Sequence, residues 1–170
     1  IGLKNIAIGE AAMSGVTTLQ ADNNIAIGQS ALVGTSATSG DHNVAIGTIS
    51  MDALTTGVHN IGLAWSSLGA LTTGEHNIGL GFLALGAGVI TGSANIGIGQ
   101  AAATAMVSGA CNVAIGANAL GASTDGVNNI AIGESALGAS VNDGDQNVAI
   151  GRTALGEGDV SGCYNVALGN

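Results

Sequence analysis

Large and small apolar residues alternate along the chain in one short phrase: Asn, then Ile or Val, then Ala or Gly, then Ile or Leu, and nine times in ten a Gly. The phrase returns ten times, beginning at Asn5, Asn24, Asn43, Asn60, Asn77, Asn95, Asn112, Asn129, Asn147 and Asn165, with 17 to 19 residues between copies. With the Asn as position 0, the branched residues at +1 and +3 enclose a small one at +2. That period of two, rich in β-branched residues, predicts a short strand. The Gly at +4, replaced only by Ala64, predicts a corner where the backbone takes positive φ or passes close to another chain segment. Beyond it, pairs such as Ser50-Met51 and Ala84-Leu85 at +7 and +8 form a second apolar segment. It is too short for a helix that is stable in water, so a second strand is predicted there. Three residues before the next Asn another Gly recurs, and all length variation falls just ahead of it, in loops along one side of the array.

A fixed period near 18 residues means units that cannot bury their own apolar face and must stack. The predicted fold is all-β: a parallel β-roll or β-helix solenoid of about ten 17–19-residue repeats, with residues 1–170 a single repeat array. Because the strand phrase is apolar on both faces, both faces are expected to be covered. One coil has one interior, so the second face points to another chain, and the small residues at +2 suit close packing between chains.

Composition narrows the function classes. Gly is 30 of 170 residues and Pro is absent, yet 46% of positions are hydrophobic and 8% charged, the reverse of a disordered chain. Eleven acids against Lys4 and Arg152 give a net charge of -9, which excludes nucleic acid as a partner. The acids are spread along the repeats like a solvated face. No uninterrupted apolar run is long enough for a membrane span in this segment. The chain opens without Met and runs within the repeat pattern from end to end, so it is expected to be a segment of a longer fibrous protein whose targeting signals lie elsewhere.

Stacking at roughly 4.8 Å per rung turns repeat positions into columns. Asn24, Asn43, Asn60, Asn77, Asn95, Asn112, Asn129 and Asn147 are expected to form a structural ladder of side-chain amides. His42, His59 and His76 fill the column just before the Asn in three consecutive copies, and stacked imidazoles are candidate metal ligands. The same column holds Asn23, Ala94, Asn128, Gln146 and Tyr164 elsewhere, which reads as a wall position; no metal or other cofactor is predicted. Asp143-Gly144-Asp145 has too few ligands for calcium and reads as solvated loop acids. No Ser or Cys has a recurring His and acid in reach, so no catalytic residues are assigned and the chain is not read as an enzyme. Thr17-Thr18, Thr55-Thr56 and Thr72-Thr73 suggest an ice-binding face but do not continue into later copies. Cys111 and Cys163 are 52 residues apart, about three rungs or roughly 15 Å, and are not expected to pair within a chain. The +5 column is mostly polar and therefore outward, and Trp65 and Phe82 interrupt it in adjacent copies. They are the candidate binding residues, with packing as the competing role.

Asn-Ile-Ala-Ile-Gly-Glu-Ser-Ala-Leu (129–137) and Asn-Val-Ala-Ile-Gly-Arg-Thr-Ala-Leu (147–155) resemble the repeats of phage tail fibres and related virion appendages. They are also similar to the head repeats of trimeric autotransporter adhesins, whose repeat is shorter and usually carries a Ser between Asn and Val; this favours the fibre type. The resemblance covers the whole chain and implies a homotrimeric, extracellular attachment fibre, on a virion or a cell surface, without catalytic residues. The expected function is thus that of a structural attachment segment that projects or forms a receptor-binding surface, with itself and a cell-surface glycan or protein receptor as partners. The alternatives are a ligand-free structural filament or sheath subunit and, third, a tailspike-like polysaccharide-cleaving enzyme, which would need a carboxylate-lined groove.

Overall fold

A small residue between two branched ones gives a strand one slim and one bulky face, and the architecture follows from which of them turns inward. The computed structural model of the chain describes residues 2–15, 21–34, 39–138, 144–158 and 162–170, and in it the slim face turns in. Among the described residues, ten three-residue strands form one parallel sheet in chain order: β1 (Ile6–Ile8), β2 (Ile25–Ile27), β3 (Val44–Ile46), β4 (Ile61–Leu63), β5 (Ile78–Leu80), β6 (Ile96–Ile98), β7 (Val113–Ile115), β8 (Ile130–Ile132), β9 (Val148–Ile150) and β10 (Val166–Leu168). Register is kept from rung to rung, Ala26 lying between Ala7 and Ala45, and Leu63 against Leu80. The chain is a parallel β-solenoid with one strand per repeat, and the described residues contain no helix.

The interior is narrow. Ala26, Ala45, Ala114, Ala131 and Ala149 at +2 have no accessible surface, and neither do Leu32, Met51, Leu68, Leu85, Leu120 and Leu137 at +8, with which they form one continuous core. A coil of so few residues has room for one layer of Leu-sized side chains; a second branched layer from the strand would overpack it. The expectation that the small +2 residues mediate contact between chains is therefore corrected: they fill their own coil, and the branched residues at +1 and +3 point outward.

The second predicted strand is also corrected. Residues +5 to +8 form a turn in which +6 and +8 hold left-handed φ, as at Ser30 (54°) and Leu32 (50°) or Ser135 (54°) and Leu137 (48°). Outside the named strands the described residues carry only an isolated bridge, Leu71 to Ile90. A left-handed L-residue is unfavourable in isolation, and what holds it here is the stack. The +8 N–H donates to the +7 carbonyl of the next rung, as in Leu32 to Ser50 (2.9 Å) and Leu120 to Ala136 (2.8 Å). The +6 N–H donates to the +5 carbonyl of the preceding rung, as in Ser30 to Glu10 (2.9 Å). Backbone groups that a sheet would pair are thus paired without one.

At the head of each strand the buried Asn column forms a continuous ladder. The side-chain oxygen of one Asn accepts the backbone N–H of the next, as in Asn43 to Asn24 (2.8 Å) and Asn129 to Asn112 (2.9 Å). Its Nδ2 donates to the carbonyl of the Gly three residues before the next Asn, as in Asn60 to Gly74 (2.9 Å) and Asn95 to Gly109 (2.7 Å). A buried carboxamide has both the acceptor and the donor this requires. Asn147 Nδ2, near the end of the ladder, is buried without a partner.

The corner glycines take φ between 121° and 137°, a region that only Gly occupies without cost, and a Cβ at Gly99 would stand 2.8 Å from the backbone of Gly116. Ala64 alone places a side chain in this column, with φ drawn down to 114°. Such a conformation costs an L-residue about 1–3 kcal/mol, partly offset by the greater freedom a glycine loses on folding. Ala64→Gly is expected to raise the unfolding midpoint, by about 1 kcal/mol in stability, and thermal unfolding followed by circular dichroism checks the sign.

Candidate functional site

The outward strand face is the dominant surface feature. Branched apolar residues occupy +1 and +3 in all ten rungs and none of the twenty is buried; Ile8, Ile46, Ile61, Ile130 and Ile150 are among those exposed. Ten strands make this stripe roughly 43 Å long at about 4.8 Å per rung. Scattered exposed apolar residues are ordinary, whereas a contiguous band of this extent marks a contact surface.

Two exposed columns border the stripe. On the side where the strands begin, position -1 holds left-handed φ of 58–64° in every rung, from Lys4 to Tyr164. This suits half of its residues: Asn and His are enriched in left-handed conformations, and Asn23, Asn128 and the three histidines fill five of the ten places. The -1 N–H donates to the -2 carbonyl of the preceding rung, as in His59 to Asp41 and His76 to Val58, 3.1 Å each. His42, His59 and His76 form a stack with ring centroids 4.8 and 5.1 Å apart and planes 24–25° from parallel. Rings facing one another do not direct their nitrogens to a common point, and no group of three or more potential metal ligands occurs among the described residues.

On the far side, just past the corner, Trp65 and Phe82 in the +5 column stack with centroids 4.9 Å apart and planes within 13°. Both are exposed, at 43% and 46%, so no segment of the described chain covers them. Each ring thereby gives part of one face to its neighbour along the axis.

Position -2 carries a function that the sequence analysis missed. Where it carries Asp, its side chain accepts the -2 backbone N–H of the preceding rung: Asp41 from Asp22 (2.7 Å), Asp145 from Val127 (2.8 Å), and Asp22 from Leu3. Ser93 takes the same place for Glu75, and Cys163 Sγ for Asp145 at 3.3 Å. Asp145, read above as a solvated loop acid, is therefore a rung-to-rung cap, while Asp143 lies outside the described residues. The signal was available in the recurrence of Asp two residues before Asn24, Asn43 and Asn147. Burial raises the Asp52 carboxyl above its ordinary value, opposed by a backbone hydrogen bond.

Cys111 and Cys163 are both exposed free thiols. Thr55 and Thr72 use their hydroxyls within the stack, on the carbonyls of Thr72 and Ile90, while Thr17 and Thr18 lie outside the described residues. No helix among the described residues is long and apolar enough to cross a membrane. Comparison of the chain with family models, with curated proteins and with solved structures finds no match in any of the three.

Proposed function

We propose that the chain is a segment of an extracellular attachment fibre, and that its working form is a homotrimer of parallel chains with the outward strand faces packed around a common axis. The observation that carries this reading is the unbroken apolar stripe on a parallel sheet, an architecture whose sheets are normally covered on both faces. A coil covers only its inner face, and rotation about an axis parallel to the stack brings three copies of the stripe together over its whole length. Three straight, laterally fused coils make a stiff spacer, the mechanical requirement of an organ that holds a receptor-binding part away from a surface. The resemblance of the repeats to those of tail fibres and adhesin heads supports the same reading.

Light scattering is expected to give three times the 16.2 kDa chain mass at micromolar concentration. Ile61→Asp with Ile78→Asp is expected to give a folded chain of lower mass, because the substitutions charge the stripe and leave the coil interior untouched. A parent protein that scatters as a monomer would sink the proposal. The second reading, a ligand-free filament, shares the trimer and differs in binding nothing: an immobilised trimer that retains neither glycans nor cells decides for it.

A further inference from the structure

The two columns bordering the stripe are matched to each other in four of the ten rungs. Positions -1 and +5 of one rung stand on opposite sides of a strand, up to about 20 Å apart along an extended chain. The ring contacts among them run within columns, imidazole to imidazole and indole to phenyl. Yet in the first, second, fourth and fifth rungs their residue types correspond at equal height. Lys4 and Glu10, of opposite charge, belong to the first rung; Asn23 and Gln29, both amides, to the second. The fourth and fifth rungs pair His59 with Trp65 and His76 with Phe82, so the only aromatic residues of the +5 column coincide with two of the three stacked imidazoles. The chain's only cations, Lys4 and Arg152, both stand in these columns, and no rung sets like charges at its two ends.

A threefold axis parallel to the stack gives this correspondence a physical cause. Three sheet faces turned toward such an axis form a triangle in section, and at each corner the leading edge of one face meets the trailing edge of the next at the same height. Cyclic interfaces of this kind are heterologous: one patch meets a different patch, so complementarity between the two columns is what the symmetry selects. Resting on the trimer reading above, we propose that the -1 column of each protomer packs against the +5 column of its neighbour, rung for rung, so that His59 and His76 contact Trp65 and Phe82 of the adjacent copy. The aromatic pair is then a seam element that, together with Lys4 and Glu10, fixes the axial register of the three chains. A slip of one rung toward the sixth rung sets Phe82 against Ala94, and a slip in either direction separates Lys4 from Glu10.

The test is cross-linking in the trimer, with Cys111→Ser and Cys163→Ser as background. His59→Cys combined with Trp65→Cys, treated with a short bis-maleimide, is expected to yield covalent trimer on a denaturing gel, whereas either substitution alone yields none. Trp65→Cys combined with Thr73→Cys, whose second position lies on another exposed column, is expected to stay monomeric on the gel. Should loss of the rings disturb assembly, Asn23→Cys with Gln29→Cys puts the same question to a polar rung. A species that light scattering shows to be trimeric but that gives no covalent trimer from either facing pair overturns this arrangement, as does equal cross-linking of the Thr73 control. A parent protein that scatters as a monomer instead overturns the trimer reading beneath it.

Discussion

Replacing Asn95 with alanine is expected to cost roughly 2–6 kcal/mol, because it strands two buried backbone groups at about 1–3 kcal/mol each. The Asn95 side chain accepts the Asn112 N–H at 3.1 Å and donates to the Gly109 carbonyl at 2.7 Å, and neither contact is open to solvent. Asn95→Asp keeps the acceptor, loses the donor, and places a carboxylate against the Gly109 carbonyl. Burial without a counter-ion raises its pKa in the folded state, so the deficit is largest at neutral pH. It shrinks as pH falls through the folded value, where the protonated acid can again donate. Asn5→Ala, in the more exposed first rung where water can replace the amide, is expected to cost much less. Denaturant unfolding gives the magnitudes, and amide exchange at Asn112 localises the damage. A loss below about 1 kcal/mol for Asn95→Ala would mean that the ladder is not what holds adjacent rungs.

The strand phrase, the Gly corner and the Asn column were legible in the sequence because each is dictated by the backbone: a period of two, a positive φ, a recurring pair of unpaired groups. Which strand face turns inward was not, since both are apolar and periodicity carries no size limit. That limit comes from the coil, which has room for Leu85 and Leu120 only if the strand contributes Ala or Gly. The turn at +5 to +8 was misread for a related reason. Leu32, Leu68 and Leu137 hold left-handed φ that their own propensity disfavours, and the compensating bonds run to other rungs, where no local window can see them.

The surface was readable as columns but not as geometry. His42, His59 and His76 and the Trp65–Phe82 pair could be placed on shared columns by counting, and their rings stack at the rung spacing. That the histidine column is left-handed, a conformation His and Asn adopt more readily than most residues, appears only in the backbone. The acids illustrate the converse. Asp22, Asp41 and Asp145 looked like scattered charge because charge was weighed by total and not by column, although each precedes an Asn by two residues.

Glycine replaces alanine at +2 in three consecutive rungs, and for two of them the cause lies one rung earlier. Ser67 stands at +7, where Ala is usual, and its hydroxyl donates to the Gly79 carbonyl at 2.7 Å; Ser50 bonds Gly62 in the same way at 3.1 Å. A Cβ on Gly79 would stand 2.6 Å from Ser67 Oγ and 3.1 Å from the Ala84 carbonyl oxygen. Gly79→Ala is therefore expected to cost about 1–3 kcal/mol by overpacking, and Ser67→Ala about 0.5–1.5 kcal/mol through its lost hydrogen bond. The double variant recreates the arrangement of Ala119 and Ala131, both fully buried at the same positions in later rungs. It should fall well short of the sum, with an interaction of about 1–2 kcal/mol in its favour. Gly97 follows Ala84 in place of a Ser, and a Cβ there meets nothing closer than 3.2 Å. Gly97→Ala is accordingly expected to be close to neutral, and nothing in the structure explains the Gly at that position. Unfolding of the four variants against the parent closes the cycle. Strictly additive losses in the Ser67/Gly79 pair would show that the serine hydroxyl does not set the size limit in these rungs.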